Sequence, residues 1–279
     1  MASRLRFVKR KVALAAALSL VAAALAPLAA QEPAPAFETA AFARALAQFV
    51  TPEGWVRYAA LKRNPADLDA FIEQLAATSP ESHPALFPSP QARMAYWINA
   101  YNAFVLYAIV QAYPVDSVRD FRFGFGLLFF KRSKFVAGGK HYSLDAIEHG
   151  ILRKQFAEPR VHFVVNCAST SCPRLLREPI RARTLDQQLQ AAARGFIGDK
   201  ANVRLEGDTL RLSKIFDWYE GDFLKDLEAD GAEDPHLADY VARYLPAPQA
   251  ERLRRHRPRV KYIGYDWSLN DAARHADGN

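Results

Sequence analysis

The sequence predicts an α+β fold: a central buried helix packed with a small, mostly antiparallel sheet, with further helices around it. Two observations carry this expectation. Residues 89–114, SPQARMAYWINAYNAFVLYAIVQAYP, are apolar around nearly the whole helical circumference, Met94, Trp97, Phe104, Leu106 and Ile109 among them. A helix with no polar face belongs inside a core. The strand signals come as hairpins and single edges mixed with helices, not in the strand–helix–strand alternation of a doubly wound parallel sheet.

The chain opens with MASRLRFVKRK, five basic residues and no acid, followed by the uncharged run VALAAALSLVAAALAPLAA. A basic segment, an apolar segment and small residues at its end are the pattern of an export signal. Residues 1–30 are therefore expected to be a signal peptide cleaved after Ala30 or Ala36, which makes the protein periplasmic or secreted. The alternative is an uncleaved N-terminal membrane anchor, because the run is long enough to span a bilayer. No cysteine follows it to take a lipid. Residues 31–36 are a Pro/Ala linker, and residues 37–279 read as a single α+β domain large enough to bury one substantial core. Removing the first thirty residues takes five positive charges and no negative ones, so the formal charge falls from +7 to about +2. Nothing global then points to a nucleic-acid partner.

Beyond the linker, FETAAFARALAQFV is a helix with Phe37, Ala41, Leu46 and Phe49 as its apolar stripe. TPEGWVRYAAL reads as a turn with a short strand, and NPADLDAFIEQLAAT as a helix begun by Asn64 and Pro65. Ser89 caps the central helix, Pro90 starts it and Pro114 lies beyond its end. KFVAGGKHY is a hairpin turning at Gly138 and Gly139, leading into a helix capped by Ser143. VHFVVN is read as a nearly continuous apolar strand. TLDQQLQAAARGFIG begins with a Thr184–Gln187 capping box. NVRLEGDTLRLS is a second hairpin, IFDWYEGDFLKDL and DPHLADYVARYL are two helices, and RVKYIGYDWSLND supplies a closing strand.

Polar residues inside the apolar segments are the site candidates. Asn99 and Asn102 share one face of the buried helix at a spacing of three. A buried amide must find partners, since an unpaired one costs roughly 1–3 kcal/mol. The expected role is to tie the helix to a loop; the alternative is to line a site. Glu148 and His149 are adjacent on an otherwise apolar helix and point about 100° apart, so only one is expected to face a site. In HFVVNCASTSC, His162 and the chain's two cysteines, Cys167 and Cys172, recur every five residues. Three readings of them are open. An exported chain with an even cysteine count is expected to form a disulfide. A thiol nucleophile needs a base and a group that orients it, but strand alternation sets His162 opposite Cys167. A zinc site needs four ligands, and His162, Cys167 and Cys172 supply three, with His149, His141 or Glu148 as a fourth; the spacing matches no common zinc module.

YWINAYNAFVLYAI, YSLDAIEHGILR, HFVVNCASTSCPRL and LSKIFDWYEGDF, with YDWSLN as a terminal echo, together resemble the domain-of-unknown-function 547 family in its bacterial exported form. The likeness runs from about Ala92 to Leu189, with flanking agreement to Asn270. It implies no reaction, because that family is defined by sequence and not by activity. The order of a buried helix, a His-bearing strand and an Asp-bearing strand also resembles papain-like and transglutaminase-like folds. Those start their central helix with a cysteine, where this chain has only Asn99 and Asn102 to offer.

The function expected from all this is an envelope binding or structural module with a disulfide-stapled loop. The alternatives are a thiol-dependent hydrolase or transferase built from Cys167 or Cys172, His149 or His162, and Asn99 or Asn102, and a zinc-binding protein. Asn99 or Asn102, His149 or Glu148, and the His162–Cys172 segment are expected to converge around one cleft at the sheet's edge. FRFGFGLLFFKR, residues 121–132, is expected to pack on the core, with a lid or membrane contact as the alternative. ERLRRHRPRVK, residues 251–261, carries six Lys/Arg against one Glu and is a solvated helix end that can also meet anionic lipid or cell-wall polymer. His83, His236, His256 and His275 are expected at the surface. The residues indicate no particular cofactor.

Overall fold

A computed structural model describes residues 37–120, 128–132 and 134–275. The expected signal and linker, residues 1–36, and most of the aromatic stretch that begins at Phe121 lie outside the described residues. Helix α1 (Ala40–Phe49) packs on α2 (Tyr58–Arg63) and α3 (Ala66–Ala77), and these two pack on α4 (Pro90–Ala112). Ser89 Oγ accepts a hydrogen bond from the Ala92 amide at 3.1 Å, and Pro90 occupies the first turn, where its missing N–H matters least. Fifteen of the 23 residues of α4 are buried, which makes it the central helix. TPEGWVRYAAL yields only isolated bridges, Val56 pairing with Val50 and with Asp271, before α2 begins.

After the short helix α5 (Leu128–Arg132), strands β1 (Phe135–Ala137) and β2 (Lys140–Tyr142) form the expected hairpin. Gly138 and Gly139 both turn through positive φ, 54° and 77°. At Gly138 a Cβ would also stand 2.3 Å from Ser79 Oγ, so glycine is required there twice over. Ser143 then caps the next helix through the Ala146 amide. That helix is not regular. Ala146–Leu152 winds as a π-helix, with the Arg153 amide reaching back to the Glu148 carbonyl, and continues as α6 (Arg153–Phe156).

VHFVVN is not a strand. Pro159–Phe163 forms a 3₁₀ helix whose start is fixed by Glu158, the side chain of which accepts from the Arg160 amide, and by Pro159 in the first turn. These helix-start signals outweigh the β-propensity of the valines and phenylalanine. The chain beyond it pairs with side chains instead of a neighbouring strand. Asn102 Oδ1 accepts from the Asn166 amide and its Nδ2 donates to the Val164 carbonyl, both at 2.9 Å. Asn99 grips Ile180 in the same way, at 2.9 and 2.8 Å.

Helix α7 (Leu185–Gly198) follows. No capping box forms at its start. Gln188, not Gln187, accepts from Thr184 Oγ1 and from the Arg181 amide. Strands β3 (Val203–Glu206) and β4 (Thr209–Leu212) pair antiparallel, helices α8 (Lys214–Trp218), α9 (Glu220–Ala229), α10 (Leu237–Ala242) and α11 (Ala247–His256) follow, and β5 (Arg259–Tyr262) adds parallel to β4. The α+β class and the central buried helix are as the sequence predicts, with the mostly antiparallel strands divided between two small sheets. IFDWYEGDFLKDL is broken at Tyr219 into α8 and α9. The final segment returns to the first half of the chain. Thr170 bonds the Ser268 carbonyl, Asn270 bonds that of Ala168 and Val56 bonds that of Asn270.

Candidate functional site

A cavity of about 390 Å³ is walled by residues from α4, the π-helix, the 3₁₀ helix, the cysteine loop, α8 and the C-terminal segment. Glu148, His149, His162, Cys167 and Cys172 all line it, together with Tyr101, Trp218, Tyr219, Tyr265 and Trp267. The π-helix brings both Glu148 and His149 to this cavity, against the expectation that only one would face it. Glu148 is buried, and His149 stands at the rim with its side chain 43% exposed. The helical turn at Pro159–Phe163 likewise removes the strand alternation that would have set His162 opposite Cys167. Asn102 lies behind the cavity wall, holding the backbone at Val164 and Asn166, and Asn99 holds Ile180.

Glu148 accepts from two tyrosines, Tyr101 at 3.1 Å and Tyr219 at closer range. Burial, reinforced by the neighbouring Glu148 carboxylate, pushes both phenols well above their usual pKa, so both remain donors at neutral pH. Among the described residues no lysine or arginine pairs with Glu148. Tyr219 owes its place to the break between α8 and α9. One of its contacts is the His162 ring, stacked at 3.7 Å, and the Arg153 guanidinium lies 5.1 Å from its ring centre.

His162 is buried, with Nε2 2.8 Å from Asp222 Oδ2. A carboxylate only accepts, so Nε2 carries the proton and Nδ1 holds a lone pair. Nδ1 is buried with no partner. Burial lowers the His162 pKa against the pull of Asp222, which keeps the ring neutral near pH 7. Burial works against ionisation of Asp222, but the hydrogen bonds from His162 and Arg153 prevail and hold its carboxyl far below the usual range. Arg153 grips Asp222 through two nitrogens, at 2.6 and 2.9 Å, and reaches His149 Nδ1 at 2.8 Å.

Cys167 and Cys172 are joined as a disulfide, with Cα atoms 6.3 Å apart, inside the usual range. The Tyr265 hydroxyl lies over the bond, 3.3 and 3.2 Å from its sulfurs, and 2.8 Å from Ser169 Oγ. The loop itself is held by Asn166, which accepts from the Ala168 amide at 2.8 Å and donates to the Pro173 carbonyl at 2.7 Å. No three His, Cys, Asp or Glu side chains among the described residues are grouped to hold a metal ion. His141 lies on β2, away from the cavity lining. His236 caps α10 through Nδ1. His275, expected at the surface, instead stacks on Trp55 at 3.7 Å with its Nε2 buried.

Asp222, Tyr101, Tyr219, Tyr265, Trp218 and Trp267 were not picked out from the sequence. Asp222 stands in the family-like stretch LSKIFDWYEGDF, and Arg153 is five residues from Glu148, the spacing that a π-helix joins; both signals acquire meaning only once the backbone is known. No described helix is long and apolar enough to cross a membrane. No curated protein and no solved structure matches the chain. The model of the family described as "Protein of unknown function, DUF547" matches residues 87–197, a span that holds α4, the π-helix and the cysteine loop. The segment that supplies Tyr101, Glu148, His162 and the disulfide to the cavity thus belongs to the DUF547 family.

Proposed function

We propose that the protein is exported and acts as a binding module of the cell envelope, with the 390 Å³ cavity as its ligand site and the disulfide as a structural part of the cavity wall. The observation that carries this reading is the state of the reactive groups. Both sulfurs are consumed in one bond, and the lone pair of His162 is sealed from solvent, so the cavity presents a shaped polar surface without a free thiol or an accessible His162 base. Its size falls in the range of small-molecule sites. The basic and apolar N-terminal segments support export, and the basic stretch 251–261 supports contact with anionic envelope polymer or lipid.

Two measurements test the reading together. Alkylation of periplasmic protein without reductant should leave Cys167 and Cys172 unlabelled, and intact mass should place the mature N-terminus between Gln31 and Phe37. Full labelling of both thiols, or an intact Met1 terminus, would sink it. A second reading, a thiol-dependent hydrolase or transferase, is favoured by one observation: Asp222 orients His162 in the same cavity as Cys167. Ester or amide turnover that appears only after reduction, and is lost in Cys167→Ser, would move the assignment to that class.

A further inference from the structure

From the balance of donors and acceptors around Glu148 we infer that the cavity takes a small primary ammonium ion with an apolar or aromatic body, a ligand class that rests on the binding reading above. A carboxylate oxygen has about two acceptor positions. Tyr101 fills one on Oε2 and Tyr219 one on Oε1, which leaves an acceptor on each oxygen. Among the described residues lining the cavity Lys131 is the one lysine or arginine; it is exposed on the short helix α5 and makes no ion pair with Glu148, while Asp145 adds a second carboxylate to the lining. Arg153 is near enough for its charge to be felt at Glu148 but is bonded to Asp222. A buried carboxylate with no cation bonded to it is costly, and a ligand that brings N–H donors and positive charge relieves that cost. An anionic ligand would add to it.

The walls suit the rest of such a ligand. Trp218, Tyr265 and Trp267 form one aromatic cluster, with ring centres 4.5 to 5.5 Å apart. Trp218 is 42% exposed, a large apolar surface turned toward solvent at the cavity. Indole faces attract cations and pack well on apolar bodies. The same preference is already visible at the cluster's edge, where the Arg119 guanidinium lies 5.7 Å from the Trp267 ring centre. Tyr219 takes no part in this, because it is engaged by His162 and Arg153. It serves Glu148 through its hydroxyl.

The test compares three ligands of one shape on the mature, oxidised protein: benzylammonium, benzyl alcohol and benzoate. Binding is read from the indole N–H signals of Trp218 and Trp267, with that of buried Trp97 as the internal reference. Benzylammonium should bind roughly tenfold or more tightly than benzyl alcohol, as expected for charge-assisted hydrogen bonds, and benzoate should bind weakest. Glu148→Gln should erase the preference for the ammonium. Trp218→Ala, a change at an exposed position, should weaken the ammonium several-fold without disturbing the fold. Equal binding of the ammonium and the alcohol, or tighter binding of benzoate, overturns the ligand class while leaving the cavity a binding site. A preference that survives in Glu148→Gln removes that residue from the proposal. If none of the three moves either indole, both the ligand class and the binding reading fall.

Discussion

Asn102 does for the chain after Phe163 what an adjacent strand would do. Its side chain carries one carbonyl and one N–H₂, the same pair of functions as a peptide group, and it turns both toward Val164 and Asn166. Replacing it by alanine orphans a buried carbonyl and a buried amide together. Asn102→Ala should therefore cost roughly 2–4 kcal/mol in urea unfolding. Asn64→Ala, at an exposed site, should stay within about 0.5 kcal/mol. Equal effects from the two would show that the amide is not the clamp. Titration at His162 and Asp222 gives a second expectation at this scale. The folded site disfavours protonation of His162, chiefly through burial, whereas the unfolded chain takes up that proton near pH 6.5. Its contribution is full above about pH 6.5 and is lost as pH falls from there toward the lowered folded value. Asp222 follows the same sign lower down, with its contribution present above about pH 4 and lost as pH falls toward its lowered folded value. Acid should thus destabilise the protein in two stages, and His162→Gln should flatten the first. A wild-type urea midpoint unchanged between pH 8 and pH 5 would contradict this.

At the scale of elements, what the sequence reveals depends on where the deciding partners lie. Helix α4 is legible because its cap, its first-turn proline and its all-round apolarity are local. The β1–β2 hairpin is legible because two consecutive glycines leave few other turns. The segment Pro159–Phe163 is misread because Val, Phe and Val favour a strand locally, while the amide that replaces the strand's neighbour sits 62 to 64 residues earlier. The π-helix is hidden for a similar reason. Nothing in AIEHGIL demands the wider turn; it is set by packing that holds Glu148 against Tyr101 and Tyr219. Asp222 is 60 residues from His162, and no periodicity links them. Local propensity does set one expectation without such partners. Gly195 lies exposed inside α7, and a Cβ there meets nothing within 4 Å. Gly195→Ala should raise stability by about 0.5–1 kcal/mol. A loss of stability on thermal or urea unfolding would mean that α7 needs glycine for a reason other than its backbone.

Across the whole molecule, the cavity lies where two hydrophobic clusters meet. Tyr101 and Val165 reach it from the cluster around α4, and Ile215 from the cluster around Phe163, Phe216 and Phe223. The cysteine loop sits at this junction, and the disulfide is one of several ties on it. Asn166 fixes it from within, and Asn270, Ser268 and Tyr265 fix it from the C-terminal segment. Tyr58 extends the chain of buried amides by donating to Asn270 Oδ1 at 2.8 Å. With so many independent ties, the native loop should survive loss of the disulfide. What changes is the unfolded chain, which gains the freedom of a short loop. For a ring this small the chain-entropy cost is roughly 2 kcal/mol. The Cys167→Ser, Cys172→Ser double variant should therefore unfold about 2 kcal/mol more easily in urea than the oxidised protein, with an unchanged dependence on denaturant. It should also keep the Trp218 and Trp267 indole signals at their native positions. Global unfolding of the variant would show that the bond, not the amide network, holds the junction. A loss below about 0.5 kcal/mol would instead show that the unfolded chain is already as restricted without the bond as with it.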